Sequence, residues 1–230
     1  MFMKPILFNT EMVKAILEGR KTTTRRIIKV DNKLDFIGCS STGGDFDTAT
    51  FGKGSFNKLL DAEIKERIKA PYMPNDILYV RETWQISNPM GDFARNDRTA
   101  EYVYKAGYAK GKRIPISIDK EKNLGVWKPS IHMPKEAARI FLKVTDVRIE
   151  RLQSITHKDV IYEGTPYDEE MFKFNICLGQ DKAEFFLKSN FKDLWDSTVN
   201  KKEIDKYGWN ANPWVWVIEF ERIDKSEVEQ

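Results

Sequence analysis

The spacing of apolar and polar positions predicts several short strands and two or three helices. KPILF, residues 4–8, reads as a strand. Met12, Val13, Ile16 and Leu17 then recur at helical spacing, with Asn9 or Thr10 placed to cap the helix and Gly19 placed to stop it. Residues 38–54, GCSSTGGDFDTATFGKG, are rich in Gly, Ser and Thr and read as a loop or a loose hairpin. Residues 56–68 read as a helix, and PYMPND as a turn. ILYVRETW (77–84) alternates as a strand. EYVYKAGY (101–108) is another, followed by a Gly/Lys turn and a polar stretch to Lys122. The strongest strand pattern is AARIFLKVTDVRIERL (137–152). Thr156 caps a short helix through HKDVIYEG that Gly164 ends. Residues 181–199 form an amphipathic helix, and WVWVIEFERI (214–223) a closing strand. No strand–helix–strand rhythm is present. The expected fold is therefore α+β: a small mixed β-barrel with flanking helices and inserted loops. One domain is expected over residues 1–230, with insertions near 31–70, 85–125 and 165–200.

Composition narrows the chemistry. The chain is 41% hydrophobic and 32% charged, which describes an ordinary folded protein. Its net charge of +3, from 38 basic and 35 acidic residues, is small, so any basic footprint must be local. Cys39 and Cys177 lie far apart without metal-ligand spacing and are expected as reduced thiols in a cytoplasmic protein. With only two histidines, no metal is expected, and no cofactor. The segment MFMKPILFNTEM lacks the apolar core of a signal peptide, and nothing approaches a membrane span. The glycines near residue 43 have the wrong spacing for a phosphate loop.

The stretch EGRKTTTRR (18–26) is the first candidate for chemistry. Lys21 and Thr24 lie three residues apart, and a threonine hydroxyl needs a neighbouring base before it acts as a nucleophile. Arg20, Arg25 and Arg26 would lower the lysine pKa by like-charge repulsion, as would burial. An acid must then come from elsewhere, and Glu82, Glu150 and Glu163 are candidates by position. The same basic run could instead grip phosphates, or answer a helix dipole and coat a solvated face. In RETW, strand alternation puts Arg81 and Thr83 on one side and Glu82 with Trp84 on the other. An aromatic plate beside a carboxylate suits a base pocket, whereas a core tryptophan beside a surface glutamate is the plainer alternative. WKPSIHMP (127–134) is a proline-fixed extended loop in which Ser130 and His132 could meet a ligand, or His132 could cap carbonyls. His157, at a capped helix start, reads as a surface residue.

ILEGRKTTTRR resembles the signature of the ASCH family, a Gly-x-Lys-x-x-x-x-Arg pattern that falls here on Gly19, Lys21 and Arg26. PNDILYVRETW, WKPSIHMPKEAARIFLKVTDVRIERLQSIT, FKDLWDS and NPWVWVIEFERI are similar to the longer ASCH proteins encoded by phages and prophages. The resemblance covers most of the chain and is weakest over 31–70 and 165–185. It implies a PUA-like fold, a compact β-barrel with flanking helices and a cleft beside the signature. PUA-like domains as a class bind RNA or modified bases. One small bacterial ASCH branch hydrolyses N4-acetylcytidine with a lysine, a threonine and a glutamate. Those roles carry over to Lys21, Thr24 and, through LQSITHKDVIYEG, Glu163. This chain is about twice as long as those amidohydrolases, and Arg25 and the threonine run replace apolar neighbours.

Three readings follow. The first is an amidohydrolase acting on an acylated or modified pyrimidine nucleoside. In it Lys21, Thr24 and Glu163 are catalytic, Arg20, Arg26, Arg81, Glu82, Ser130 and His132 bind substrate, and Trp84 or Trp127 stacks the base. The second is a non-catalytic module that binds a modified base or nucleic acid, RNA ahead of DNA, through an open basic groove. The third is a ribonuclease. Glu163 separates the first two, because a carboxylate beside Lys21 repels a phosphate but serves proton transfer.

Overall fold

The structure is a computed structural model, and it describes residues 3–40, 47–54, 63–87, 99–107, 110–115, 124–177 and 179–228. In chain order the strands are β1 (Met3–Leu7), β2 (Thr23–Ile27), β3 (Asp35–Ser40), β4 (Thr48–Lys53) and β5 (Glu63–Lys69). There follow β6 (Ile77–Arg81), β7 (Trp84–Ser87), β8 (Thr99–Tyr104), β9 (Lys110–Pro115), β10 (Phe141–Arg151) and β11 (Trp214–Ile223). The helices are α1 (Thr10–Leu17), α2 (His157–Tyr162), α3 (Glu169–Cys177), α4 (Gln180–Thr198), α5 (Ile204–Tyr207) and α6 (Lys225–Val228). The expected α+β class holds, but among the described residues no sheet closes into a barrel.

The chain divides into two compact units, the first made of Met1–Arg20, Asp76–Lys143 and Glu221–Gln230, the second of Lys21–Asn75 and Val144–Phe220. In the first unit β1 runs parallel to β6, and residues 141–143 of β10 pair antiparallel with β6. α1 begins where the Asn9 side chain accepts the Met12 N–H at 2.8 Å, and it buries Val13, Ala15 and Ile16. A second sheet, β7-β8-β9, packs Trp84, Ile86, Tyr102 and Tyr104 with Met133 and Ala137.

In the second unit β11 lies between β10 and β2 in the strand order, and β3-β4-β5 forms a separate meander. Val215 and Val217 of β11 join Leu152, Ile155, Val160, Leu187, Phe191 and Trp195 in one core, so α2 and α4 cover that side of β11. Fully burying side chains of this size stabilises the fold by roughly 1.5–3 kcal/mol each.

Several elements differ from expectation, among them α3, which was not foreseen. The described part of the segment expected as a helix over 56–68 is strand β5, whose exposure alternates and which pairs along β4; residues 56–62 lie outside the described residues. The strand expected over 77–84 stops at Arg81, and Trp84 opens β7 in another sheet, opposite Tyr104. The loose hairpin over 38–54 is β3 and β4, and the glycines near residue 43 between them lie outside the described residues. In the polar stretch after residue 107, residues 110–115 form β9, whereas 108–109 and 116–122 lie outside.

Candidate active site

Two local devices position the site in the second unit. Thr156 caps α2 with a reciprocal box: its hydroxyl accepts the Asp159 N–H, and the Asp159 carboxylate accepts the Thr156 N–H at 3.0 Å. Gly164, at φ +71°, ends the helix in a left-handed conformation that a β-carbon would strain. Glu163 is thereby fixed at the helix end, with its N–H bonded to the Asp159 carbonyl at 2.8 Å. The backbone there meets the approach to β2. Thr22 N–H donates to Tyr162 O at 2.9 Å, and Lys21 and Glu163 form an isolated antiparallel bridge.

This pairing delivers the Lys21 side chain to Glu163. Lys21 Nζ donates to Glu163 Oε2 at 2.8 Å, to the Glu163 carbonyl at 2.8 Å and to the Thr23 carbonyl at 2.7 Å. Three acceptors match the three N–H bonds of an ammonium, and the side chain has no exposed surface. Burial pushes the Lys21 pKa below its ordinary value, and Arg26 and Arg25 add to that, against the attraction of Glu163. The other oxygen of Glu163 accepts from Arg25 Nη1 at 3.1 Å. Arg25 Nη2 reaches Glu150 Oε2 at 3.2 Å and Asp159 Oδ2 at 3.5 Å, while its Nε is buried without an acceptor. Burial works to raise the Asp159 pKa, but the bonds from Thr156 and the charges of Arg25 and Arg148 hold it below the ordinary carboxylate value. Glu150 in turn accepts from Arg148 Nε at 2.7 Å, and Arg148 also pairs with Asp146 and Glu219.

Strand alternation divides the motif between two faces. Arg25 stands opposite Val217, on the helix-covered side. Thr24 and Arg26 stand opposite Ile218 and Trp216, and so share the other face. On that face Trp216 lines a hollow of about 620 Å³ together with Phe36, Met73, Pro74, Arg148 and Ile149. Thr24 is itself 3% exposed. Burial lowers the pKa of the Arg26 guanidinium, with Tyr72 and Glu163 opposing the shift.

The remaining sequence candidates belong to the first unit. Arg20 is exposed and paired with Glu18 at 2.5 Å. Arg81 Nε donates to the Met133 carbonyl at 2.8 Å. Glu82 is buried in a two-bond clasp by Arg139, at 2.8 and 2.9 Å, and burial raises its pKa against that partner. Trp84 is 5% exposed and set edge-on to Tyr102, with the Lys128 ammonium 5.1 Å from its ring centre. The RETW segment thus does not present Glu82 and Trp84 together as an open base pocket: the strand breaks between them, and each is occupied by a protein partner. Trp127 is half-buried, and Ser130 and His132 sit in a single 3-10 turn rather than a fully extended loop. In the second unit His157 Nδ1 lies 3.0 Å from Glu184 Oε1.

Arg25, read from the sequence as a like charge or as part of a basic groove, and Asp159 complete the charge network around Glu163. The box that begins at Thr156 is the one sequence signal that marks Asp159. Cys39 and Cys177 are free and exposed. Among the described residues no group of three or more His, Cys, Asp or Glu is placed to hold a metal ion. Among them, too, no helix is long and apolar enough to cross a membrane. Comparison with family models, curated proteins and solved structures returned no match for this chain.

Proposed function

We propose that the chain is an ASCH-type protein of PUA-like ancestry and works as an amidohydrolase on an acylated pyrimidine nucleoside or base. The observation that carries this reading is the buried contact between Lys21 Nζ and Glu163 Oε2 at 2.8 Å. A phosphate-gripping groove needs outward, unneutralised cations, whereas Lys21 and Arg25 are buried on carboxylates and Arg20 is paired with Glu18.

In the proposed reaction Lys21 passes one proton to Glu163 across their hydrogen bond, leaving a neutral amine beside a neutral acid. The lowered lysine pKa makes that transfer less costly. The Thr24 hydroxyl, which strand alternation turns to the opposite face of β2 from Arg25, must be brought to that amine. The amine then takes its proton as Oγ bonds to the acyl carbon. The bond from that carbon to the exocyclic nitrogen breaks, and Glu163 returns its proton to the departing amine. Water, losing a proton to the site, cleaves the acyl-threonine ester and restores Thr24. The net change is one water consumed, with one carboxylic acid and one free base released. Arg26 shares the face of Thr24, the side from which it would meet the oxyanion.

The zero exposure of the Lys21 side chain favours a second reading, a modified-base binding module without turnover. One experiment separates the two. The purified chain is incubated with a panel of N4-acylated cytidines, and products are followed by mass spectrometry. The amidohydrolase reading expects cytidine release that Thr24→Ala abolishes with an unchanged circular dichroism spectrum and that Thr24→Ser partly keeps. Undiminished turnover by Thr24→Ala removes the threonine from the mechanism. Tight binding with no release by the wild type leaves the binding module.

A further inference from the structure

We infer that the first unit carries a trough for the phosphodiester backbone of a single-stranded nucleic acid. Two hollows adjoin there, of about 510 and 570 Å³, sharing Lys112, Pro134 and Glu136 in their walls. Among the described residues five cations line the pair: Lys112 in the shared wall, Arg113 and Lys128 in the first hollow, Lys135 and Lys225 in the second. Among the same residues Glu136 is the one acid in those walls; it accepts the Tyr102 hydroxyl at 2.8 Å and keeps its charge, so the cations outnumber it by four. The cations are presented outward. Lys112, Arg113, Lys135 and Lys225 are exposed, and Lys128 is half-buried.

Lys128 and Lys135 are steadied by rings. Lys128 lies over Trp84, and the Lys135 ammonium is 6.0 Å from the Tyr79 ring centre. Neither they nor Lys112 pair with a carboxylate among the described residues. The chain's positive excess, +3 overall, resides in this unit, the other being all but neutral. One pocket with one cation would suit a single anion. Cations spread along two joined hollows suit a series of phosphates. Trp84 and Tyr102, at 5% and 2% exposure, are wall rather than stacking platform, so the contact is to the backbone and largely indifferent to base sequence. None of these residues belongs to the Lys21–Glu163 site, so failure of nucleoside turnover leaves this inference untouched.

The test is fluorescence anisotropy of the full chain with a labelled single-stranded oligouridine, titrated with salt. The variant is Lys112→Ala with Lys128→Ala and Lys135→Ala. Affinity should fall at least tenfold. The slope of log K against log salt should lessen by about 2, at roughly 0.7 per phosphate contact in a single strand. The matching Lys→Arg variant should bind as the wild type does, which separates charge from fold. Wild type that ignores the oligonucleotide, or an alanine variant that binds equally well, overturns the inference. So does poly-glutamate binding of equal strength, which would assign the trough to an acidic protein. Full competition by inorganic pyrophosphate at equal concentration would assign it to a small anion, with the same consequence.

Discussion

At the scale of residues, Glu163 holds two buried cations with its two oxygens, Lys21 on one and Arg25 on the other. Removing one member of such a set leaves an uncompensated charge among side chains that are at most 5% exposed. Glu163→Ala should therefore cost about 3–5 kcal/mol in urea unfolding. Neutralising both partners of the lysine pair, as Lys21→Met with Glu163→Gln, should cost clearly less than the two single changes added together, because neither orphaned charge remains on that side. Additive losses would mean that the pair is not energetically coupled, and the proton transfer asked of it would lose its physical basis. Nothing local in the sequence encodes this contact, since its members stand 142 positions apart. The family resemblance, not periodicity, singled out Glu163 among three candidate acids. Arg25 escaped notice as a partner because a basic run gives no sign of which members turn inward; strand alternation assigns that only once β2 is paired with β11.

Among the elements that the site depends on, α2 is a helix of six residues with little stability of its own. Its capping box and the glycine at its end hold Glu163 in place. Thr156→Ala should cost about 1 kcal/mol in thermal unfolding. Turnover should also fall with little change in KM, because the loss reaches the substrate only through the placement of Glu163. Thr156→Ser should restore both, and a variant with intact turnover would show that the cap does not govern the acid. Elements of this kind were legible. β1, α1, α2, α4 and β11 each carry their own periodicity, and α1 and α2 a cap and a stop as well. β5 was not, because EIKERIK is built from good helix formers and becomes a strand only through its partner β4. The break after Arg81 was hidden for the same reason. Alternation continues unbroken through RETW, and only the pairing of Trp84 with Tyr104 reveals a change of sheet.

For the whole molecule, the sequence invites the view that the basic stretch 18–26 is the charged face. The structure assigns those charges otherwise: Lys21 and Arg25 are buried on carboxylates, and Arg20 is cancelled by its neighbour Glu18. A pair of opposite charges in contact contributes little beyond the screening length, about 8 Å at physiological salt. Removing both together, as Glu18→Ala with Arg20→Ala, keeps net charge constant and should leave oligonucleotide affinity and its salt slope within twofold of wild type. The three-lysine variant, measured beside it, should lose both. If the neutral double substitution instead weakens binding as strongly as the lysine variant, the helix end before Lys21 is a phosphate contact. The chain's outward positive field would then include the signature motif, and the division between an inward catalytic cluster and an outward binding trough would have to be redrawn.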